Sequence, residues 1–288
     1  LNATALALLG KFVAPELFAR GYLYTLAGFD VYLGEVLLAT AAMVLVGLFQ
    51  IRGVREAGGV QFGMTALLVM GVLVIGLGAA THDRSALANL APAFAPERSA
   101  VGAVLAILAL SPWLYVGFDT LPQAAEEFDF PPRRGRRLMT WAILGGAAMY
   151  VIVILATAAV FPWPELLASG TTWATGTTVQ ASLGTVGLAF LAVAVCMAIL
   201  TGINGFYMAG SRLLFSMGRA GMLPEWFAEI HPRRRTPRNA VLFIGAASLA
   251  APWIGRQVIV WIVDVAALGT AVAYLYTCLA AFRLAAPW

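Results

Sequence analysis

One stretch of this sequence places an acid and two aromatic rings beside helix breakers, inside a segment apolar enough to cross a membrane. Trp113 and Tyr115 lie between Pro112 and Gly117, and Asp119 follows two residues later. Proline lacks the amide hydrogen that a helix needs and glycine weakens a helix, so the stretch predicts a helix that breaks within the membrane. Broken backbone at that depth is tolerated where it is buried in protein or lines a wet cavity. We therefore expect a solute-binding site here, with Asp119 beside it.

Three carboxylates, Glu35, Asp119 and Asp264, are the charged groups that we expect inside apolar segments, and no lysine or arginine lies deep enough to pair with them. An ionised carboxylate without a partner is costly in hydrocarbon, so each must be protonated, face water or meet a cation. A buried carboxyl group can exchange protons near neutral pH. This favours a cationic or zwitterionic solute and a proton as the coupling ion.

Each of the two deeper acids, Asp119 and Asp264, could have either a functional or a purely structural role. Asp119 is predicted to act in gating or proton transfer, and it could also cap the second half of the broken helix. Asp264 is predicted to act in the same way, and a structural hydrogen bond explains it equally well. Thr201 and Asn204 could line the path of a cation or substrate, or hydrogen-bond to a neighbouring helix.

Seven apolar segments are available to position these residues. They cover residues 30–50, 59–80, 100–126, 138–161, 179–216, 239–254 and 257–283. A spanning helix needs about 20 residues, so 239–254 is short, whereas 179–216 is long enough to continue beyond the membrane. Residues 1–10 are predicted to end a further helix, and residues 11–29 to form a loop. The chain is 61% apolar and 11% charged, against about 25% charged in soluble domains, so it is predicted to be one all-α transmembrane domain over residues 1–288.

Basic residues are unevenly divided between the two sets of connecting loops. Thirteen of the 18 lysines and arginines belong to one set. The positive-inside rule places that set, with loops 51–58, 127–137 and 217–238, in the cytoplasm. The basic pI therefore reflects topology, and we expect no nucleic-acid partner; the arginine-rich loops could also contact anionic lipid.

Two longer motifs resemble a known family. The stretch SPWLYVGFDTLPQAAEEF (residues 111–128) looks like the broken sixth helix of amino acid permeases of the amino acid–polyamine–organocation superfamily. The stretch NGFYMAGSRLLFSMGRAGMLPEWFAEIHPRRRTPRNAV (residues 204–241) resembles their eighth helix and the cytoplasmic loop after it. The resemblance extends over nearly the whole chain.

This resemblance implies the leucine-transporter type of fold, with two inverted five-helix repeats and the substrate between broken helices one and six. Residues 1–10 would end helix three, and the seven segments would be helices four to ten. Residues 1–98 would then be the rest of the first repeat, and residues 99–288 the second. Helices one and two and most of helix three would lie outside the sequence, which would hold half of the site.

The same resemblance implies a secondary transporter of the cell membrane that moves amino acids by alternating access. The predicted substrate-binding residues are Ser111, Trp113, Tyr115, Val116, Gly117 and Phe118. Of these, Trp113 matches an aromatic residue that stacks on substrate in related permeases, and a cation–π contact with an amine would serve that purpose; the alternative is a tryptophan of the core. Ser111 would supply a hydroxyl group. Tyr115, Val116, Gly117 and Phe118 would supply part of the pocket wall and backbone groups that are free of helical hydrogen bonds.

Several functions remain as alternatives. The acidic interior also suits a polyamine or ethanolamine permease, and a non-transporting sensor or a degenerate fragment is a different class.

We expect no enzymatic activity, because nucleotide-binding, metalloprotease and nucleophile-elbow motifs are absent from the sequence. Cys196 and Cys278 are isolated, which argues against a metal site. No cofactor is expected, and the coupling ion, H⁺ or Na⁺, and the oligomeric state stay open.

Overall fold

Helices account for most of the chain in this computed structural model, which describes residues 2–52, 54–118, 129–171 and 173–285. The side chains of residues 54–58, 113, 132, 256 and 285 are also outside the description. In chain order the helices are α1 (Asn2–Val13), α2 (Pro15–Phe18), α3 (Leu33–Arg52), α4 (Val54–Ala80), α5 (Ala100–Leu114), α6 (Pro132–Val160), α7 (Trp163–Ala168), α8 (Ala174–Arg219), α9 (Arg238–Ser248) and α10 (Arg256–Ala285). Short 3-10 helices cover Leu87–Leu90, Glu225–Ala228 and Ala251–Ile254.

Five of these helices, α3, α4, α6, α8 and α10, are apolar and long enough to cross a membrane within the described residues. They correspond to five of the seven predicted segments, and together they indicate a helical membrane protein that crosses the bilayer several times. The predicted segment 100–126 is described as a helix only as far as Leu114. The predicted segment 239–254 is divided, because α9 ends at Ser248 and a 3-10 helix follows.

Helix α8 is the longest element of the described chain, and α1, α3, α4, α6 and α9 pack against it. Its 46 residues form two helical parts that meet at Gly184, and the part after it, residues 185–219, extends over about 52 Å at 1.5 Å per residue, more than the thickness of about 30 Å of a bilayer core. Gly184 interrupts the helix with φ 65° and ψ −165°. The predicted length of this segment is therefore confirmed, and the kink near its start is a feature that the sequence analysis did not anticipate.

Two apolar clusters hold the helices together, and α8 contributes to both. The first joins α1, α3, α8 and α9, and its buried members include Leu6, Met43, Val46, Ile203 and Tyr207. The second joins α4, α6 and α8 through Ile75, Ala79, Ala156, Val160, Val179 and Leu191. Helix α5 packs mainly against α10. The break at the end of α5 is therefore positioned between this pair and the larger body of helices.

A β-hairpin lies in the region predicted to be a loop, and it corrects the expectation of an all-α chain. Strands β1 (Tyr22–Leu26) and β2 (Phe29–Tyr32) pair antiparallel. Ala27 and Gly28 both have positive φ, at 51° and 81°, as a two-residue hairpin turn of the primed type requires. Helix α3 consequently begins at Leu33 instead of residue 30.

The hairpin lies beside an ion pair that the sequence analysis missed. Lys11 Nζ in the last turn of α1 lies 2.7 Å from Glu35 Oε1 in the first turn of α3. The same ammonium group is 4.4 Å from the centre of the Tyr32 ring. The expectation that Glu35 has no basic partner was wrong, because α1 ends next to the start of α3 and brings Lys11 to it.

Contacts between distant loops agree with the predicted grouping of loops into two sides. Arg234 Nη1 donates to the carbonyl of Ile51 over 3.4 Å, so two of the arginine-rich loops meet. At the other end, the Tyr24 hydroxyl donates to the carbonyl of Trp253 and joins two of the loops that are poor in arginine. Which of the two sides faces the cytoplasm stays a prediction.

Candidate functional site

Helix α5 stops inside its apolar segment, as the sequence predicts. The amide of Tyr115 donates to the carbonyl of Ser111 over 3.1 Å, and residues 115–118 form a turn. Pro112 lies in the last turn of the helix. Gly117 has φ 126°, a conformation that side chains other than glycine rarely adopt. The predicted end of the helix at this point is therefore confirmed, whereas residues 119–128, in which the helix is predicted to resume, lie outside the described residues.

A cavity of about 550 Å³ opens beside this turn. Four of the six predicted substrate-binding residues line it, namely Tyr115, Val116, Gly117 and Phe118. The rest of the wall comes from Leu68 and Val72 of α4, Leu114 of α5, Ala142, Ile143, Gly146, Met149, Tyr150 and Val153 of α6, and Ala198 of α8. A concave, mostly apolar cavity of this size with few polar groups is typical of a small-molecule site.

Tyr150 is a site residue that the sequence analysis missed. Its hydroxyl donates to the carbonyl of Leu114 over 2.8 Å, and Leu114 is the last residue of α5. Its ring meets the ring of Tyr115 edge to face, with 6.0 Å between the centroids. Carbonyls at a helix end lack intrahelical partners, so Tyr150 satisfies one of them and links the break to α6. A tyrosine in the middle of the apolar segment 138–161 was the available signal.

Replacing Tyr150 with phenylalanine is expected to lower transport about three- to tenfold while the protein still folds. The substitution keeps the ring and removes one hydrogen bond, and a typical hydrogen bond contributes about 0.5–1.5 kcal/mol. The measurement is uptake into proteoliposomes. Tyr276→Phe is the control, because Tyr276 is exposed on α10 and outside the cavity. Equal uptake by the two variants would contradict a positioning role for Tyr150.

The turn also contacts α10, because Phe118 lies against Tyr274 with 5.5 Å between ring centroids. The remaining predicted residues around the break are less directly connected to the cavity. Ser111 donates its hydroxyl to the carbonyl of Leu108 within its own helix, over 2.8 Å, and is not part of the described cavity wall. Trp113 lies in the last turn of α5, and its side chain is outside the described residues. Its stacking role stays a prediction.

The two predicted acids are not seen together at the site. Asp119 lies outside the described residues. Asp264 lies on α10 with its side chain exposed, facing away from the packed interior. Their gating or proton-linked roles therefore stay predictions.

Asn204 joins three helices through a chain of amides, of which those of Asn204 and Gln50 are buried and that of Gln61 is half-buried. Gln50 of α3 donates to the Asn204 side-chain oxygen over 2.7 Å and to its carbonyl over 3.1 Å. Asn204 in turn donates to Gln61 Oε1 of α4 over 2.8 Å. This is the hydrogen bonding to a neighbouring helix that we gave as the alternative for Asn204. One turn earlier, the buried hydroxyl of Thr201 has no hydrogen-bond partner among the described residues.

The described residues contain no group of three histidine, cysteine or acidic side chains that could hold a metal ion. The described wall of the cavity consists of backbone groups, two tyrosines and apolar side chains.

Comparisons with known proteins find a family of amino acid permeases and several amino acid transporters that are similar to this chain. Residues 2–286 match the family model described as amino acid permease. The cationic amino acid transporter 9 of Arabidopsis thaliana, a chloroplastic protein, is 31% identical over 201 residues, which cover 68% of this chain and 33% of that protein. The branched-chain amino acid permease BcaP of Bacillus subtilis is 26% identical over 207 residues, covering 68% of this chain and 41% of the permease. The large neutral amino acids transporter small subunit 2 of Rattus norvegicus is 29% identical over 221 residues, covering 75% and 41%. The chain thus spans less than half the length of these relatives.

Proposed function

This chain belongs to the amino acid permease family, and from that premise we propose that it forms part of a secondary transporter that moves amino acids across the cytoplasmic membrane. The proposal includes alternating access, coupling to H⁺ or Na⁺, and the leucine-transporter type of fold, with residues 1–98 and 99–288 in its two repeats. The arginine-rich loops 51–58, 127–137 and 217–238 would face the cytoplasm. Relatives named for cationic, branched-chain and large neutral amino acids support the general substrate class.

The observation that carries the proposal is a helix that ends inside its apolar segment beside a cavity. Helix α5 ends at Leu114, and its C-terminal end opens towards the cavity through residues 115–118. The C-terminal end of a helix carries partial negative charge and attracts cations, such as the ammonium group of an amino acid. If the helix resumes after this turn, as the sequence predicts, its two halves can change their relative angle, as alternating access requires.

Uptake by the full-length protein in proteoliposomes tests the proposal. We expect labelled amino acids to accumulate inside the vesicles, and the accumulation to fall when an ionophore dissipates the H⁺ or the Na⁺ gradient. Empty liposomes are the control. Saturable binding without accumulation, or no response to any amino acid by folded protein, would contradict a transport function.

Asp119 is the proposed proton-linked group, and Asp119→Asn tests it. Asparagine keeps the shape of the side chain and cannot ionise, so uptake is expected to fall severalfold or to shift its pH optimum, with expression unchanged. The measurement is the rate of uptake between pH 5 and pH 8, with Asp129→Asn as control, because Asp129 is exposed at the end of the same connection. A pH profile identical to that of the parent protein would remove Asp119 from the mechanism.

A further inference from the structure

We propose that a surface of exposed arginines beside the connection between α8 and α9 binds the headgroup of an anionic phospholipid. All five side chains of this arginine surface are exposed, namely Arg52, Arg233, Arg234, Arg235 and Arg238. Contact with anionic lipid was open for all three arginine-rich loops, and the structure singles out one of them. The proposal concerns the membrane around the protein and is independent of the transported solute.

A closed turn presents three of these arginines. The amide of His231 donates to the carbonyl of Thr236 over 2.9 Å, and the amide of Arg235 donates back to the carbonyl of His231 over 2.8 Å. The amide of Arg234 donates to His231 Nδ1 over 3.4 Å. Thr236 is 2% exposed, so it anchors the turn in the protein. The backbone that carries the arginines is therefore already ordered, and a ligand does not have to order it on binding.

A contact with α3 adds Arg52 to the turn. Arg234 Nη1 donates to the carbonyl of Ile51 over 3.4 Å, and Arg52 is the next residue and the last of α3. On the other side of the turn, Arg238 is the first residue of α9. Two segments that are far apart in the sequence thus bring their arginines to one place.

Two acidic side chains of the same connection leave the surface with a net positive charge. Glu229 Oε2 accepts a hydrogen bond from Asn239 over 2.9 Å, and Glu225 begins the 3-10 helix Glu225–Ala228. Among the described residues, neither glutamate forms an ion pair with an arginine. The five arginines exceed the two glutamates by three positive charges, and positive charge next to a membrane attracts anionic headgroups.

The arginine surface lies at the level of the lipid headgroups. Helix α3 has 20 residues, so it is about 30 Å long at 1.5 Å per residue, which is about the thickness of a bilayer core. Its last residue, Arg52, is therefore at the boundary of the hydrocarbon, and the bond from Arg234 to Ile51 holds the turn at the same height. This end of α3 is on the side predicted to be cytoplasmic, where anionic lipids attract basic segments.

Exposed apolar side chains on the same connection favour a lipid over a soluble anion. Trp226 is 41% exposed and Ile230 is 51% exposed. Trp226 stacks on Phe227 with 4.0 Å between ring centroids and meets Phe243 of α9 edge to face, so its ring is fixed close to the start of α9. Tryptophan is enriched at membrane–water interfaces, and basic residues combined with apolar ones bind anionic membrane surfaces. A soluble anion would leave these apolar groups in water.

Native mass spectrometry of the full-length protein in detergent tests the proposal with dioleoylphosphatidylglycerol and dioleoylphosphatidylcholine. Each basic residue near an anionic surface contributes about a fivefold change in affinity. We therefore expect phosphatidylglycerol to bind at least about tenfold more tightly than phosphatidylcholine. Arg233→Gln/Arg235→Gln should weaken phosphatidylglycerol binding about 10- to 25-fold and leave phosphatidylcholine binding unchanged. Arg234 is kept, because its bond to Ile51 positions the turn.

Arg133→Gln/Arg136→Gln is the matched control. Both arginines are exposed at the start of α6, they belong to a loop predicted to lie on the same side of the membrane, and their replacement removes the same charge. The control should keep the lipid preference of the parent. Equal losses in the two double variants would show that net charge and not this surface attracts the lipid, and would overturn the proposal. A parent protein without preference for phosphatidylglycerol would overturn it as well.

A soluble competitor separates a lipid from a free anion. Glycerophosphoglycerol carries the headgroup of phosphatidylglycerol without acyl chains, and we expect it to displace no phosphatidylglycerol at an equal concentration. Displacement would indicate a site for a soluble phosphate ester and overturn the assignment to lipid. If Arg233→Gln/Arg235→Gln fails to give a monodisperse peak in size-exclusion chromatography, the two single variants replace it, each with an expected loss of about fivefold. No loss in either single variant would overturn the proposal. Binding is measured without transport, so the outcome does not depend on the proposed function.

Discussion

Gly117→Ala is expected to lower amino acid uptake about 5- to 150-fold without preventing expression. Gly117 has φ 126°, and holding a residue other than glycine in such a region costs about 1–3 kcal/mol. Each 1.4 kcal/mol corresponds to a factor of about ten in an equilibrium, so alanine shifts the turn away from the conformation that Gly117 adopts in the cavity wall. The new Cβ would meet no described atom within 4 Å, so the effect arises from the backbone and not from crowding.

Gly145→Ala is the control that isolates this cause. Gly145 also has no described atom near its added Cβ, but it lies inside α6, where alanine is favoured over glycine by about 1 kcal/mol. The control should therefore transport like the parent and melt at the same or a higher temperature. Uptake is measured in proteoliposomes with equal amounts of protein. If both variants transported equally well, the conformation of Gly117 would not matter for the site.

The position of the break could be predicted because its cause is local. Pro112 and Gly117 are five residues apart in an otherwise apolar segment, and each acts on the backbone of its own turn. The structure ends α5 at Leu114, between the two. Five of the seven predicted segments are also found as helices long enough to span a bilayer among the described residues, since length and hydropathy alone decide whether a helix can span it.

The opposite wall of the cavity could not be predicted, for a physical reason. Leu68, Ala142 and Val153 line it, yet each belongs to a helix that is apolar on all sides. In a membrane, a residue facing lipid and one facing a cavity are equally apolar, so periodicity does not tell which face is turned inward. Only Tyr150 differs chemically from its surroundings, and its partner, the carbonyl of Leu114, is visible only in the fold.

The hairpin was missed because its turn lacks the usual signal. Asn-Gly and Asp-Gly are the dipeptides most typical of a two-residue turn with positive φ at both positions, and this chain has Ala27 and Gly28 there. Tyr22, Tyr24 and Val31 do favour strands. Their pattern was too short to outweigh the neighbouring Pro15 and Gly21, which indicated a loop.

Asn204→Ala is expected to destabilise the folded protein more than Gln50→Ala or Asn239→Ala does. Asn204 and Gln50 are both 5% exposed, and the asparagine side chain accepts from Gln50 and donates to Gln61. Alanine would leave polar groups of both glutamines without these bonds. An unsatisfied buried polar group costs about 1–3 kcal/mol. Gln50 is buried and Gln61 is only half-buried, so the expected loss is about 1–3 kcal/mol and arises mainly from Gln50.

Asn239→Ala is a matched control, because it also removes two side-chain hydrogen bonds. Asn239 donates to the carbonyl of Trp226 and to Glu229 Oε2, both over 2.9 Å, but at a surface position where water can replace the lost amide. Thermal melts of the purified proteins in detergent should therefore place Asn204→Ala well below the parent and Asn239→Ala close to it. A Gln50→Ala/Asn204→Ala double variant should lose less than the sum of its single variants, since the first change already breaks the shared bond. Equal melting temperatures for the two asparagine variants would mean that the buried amide chain does not hold α3, α4 and α8 together.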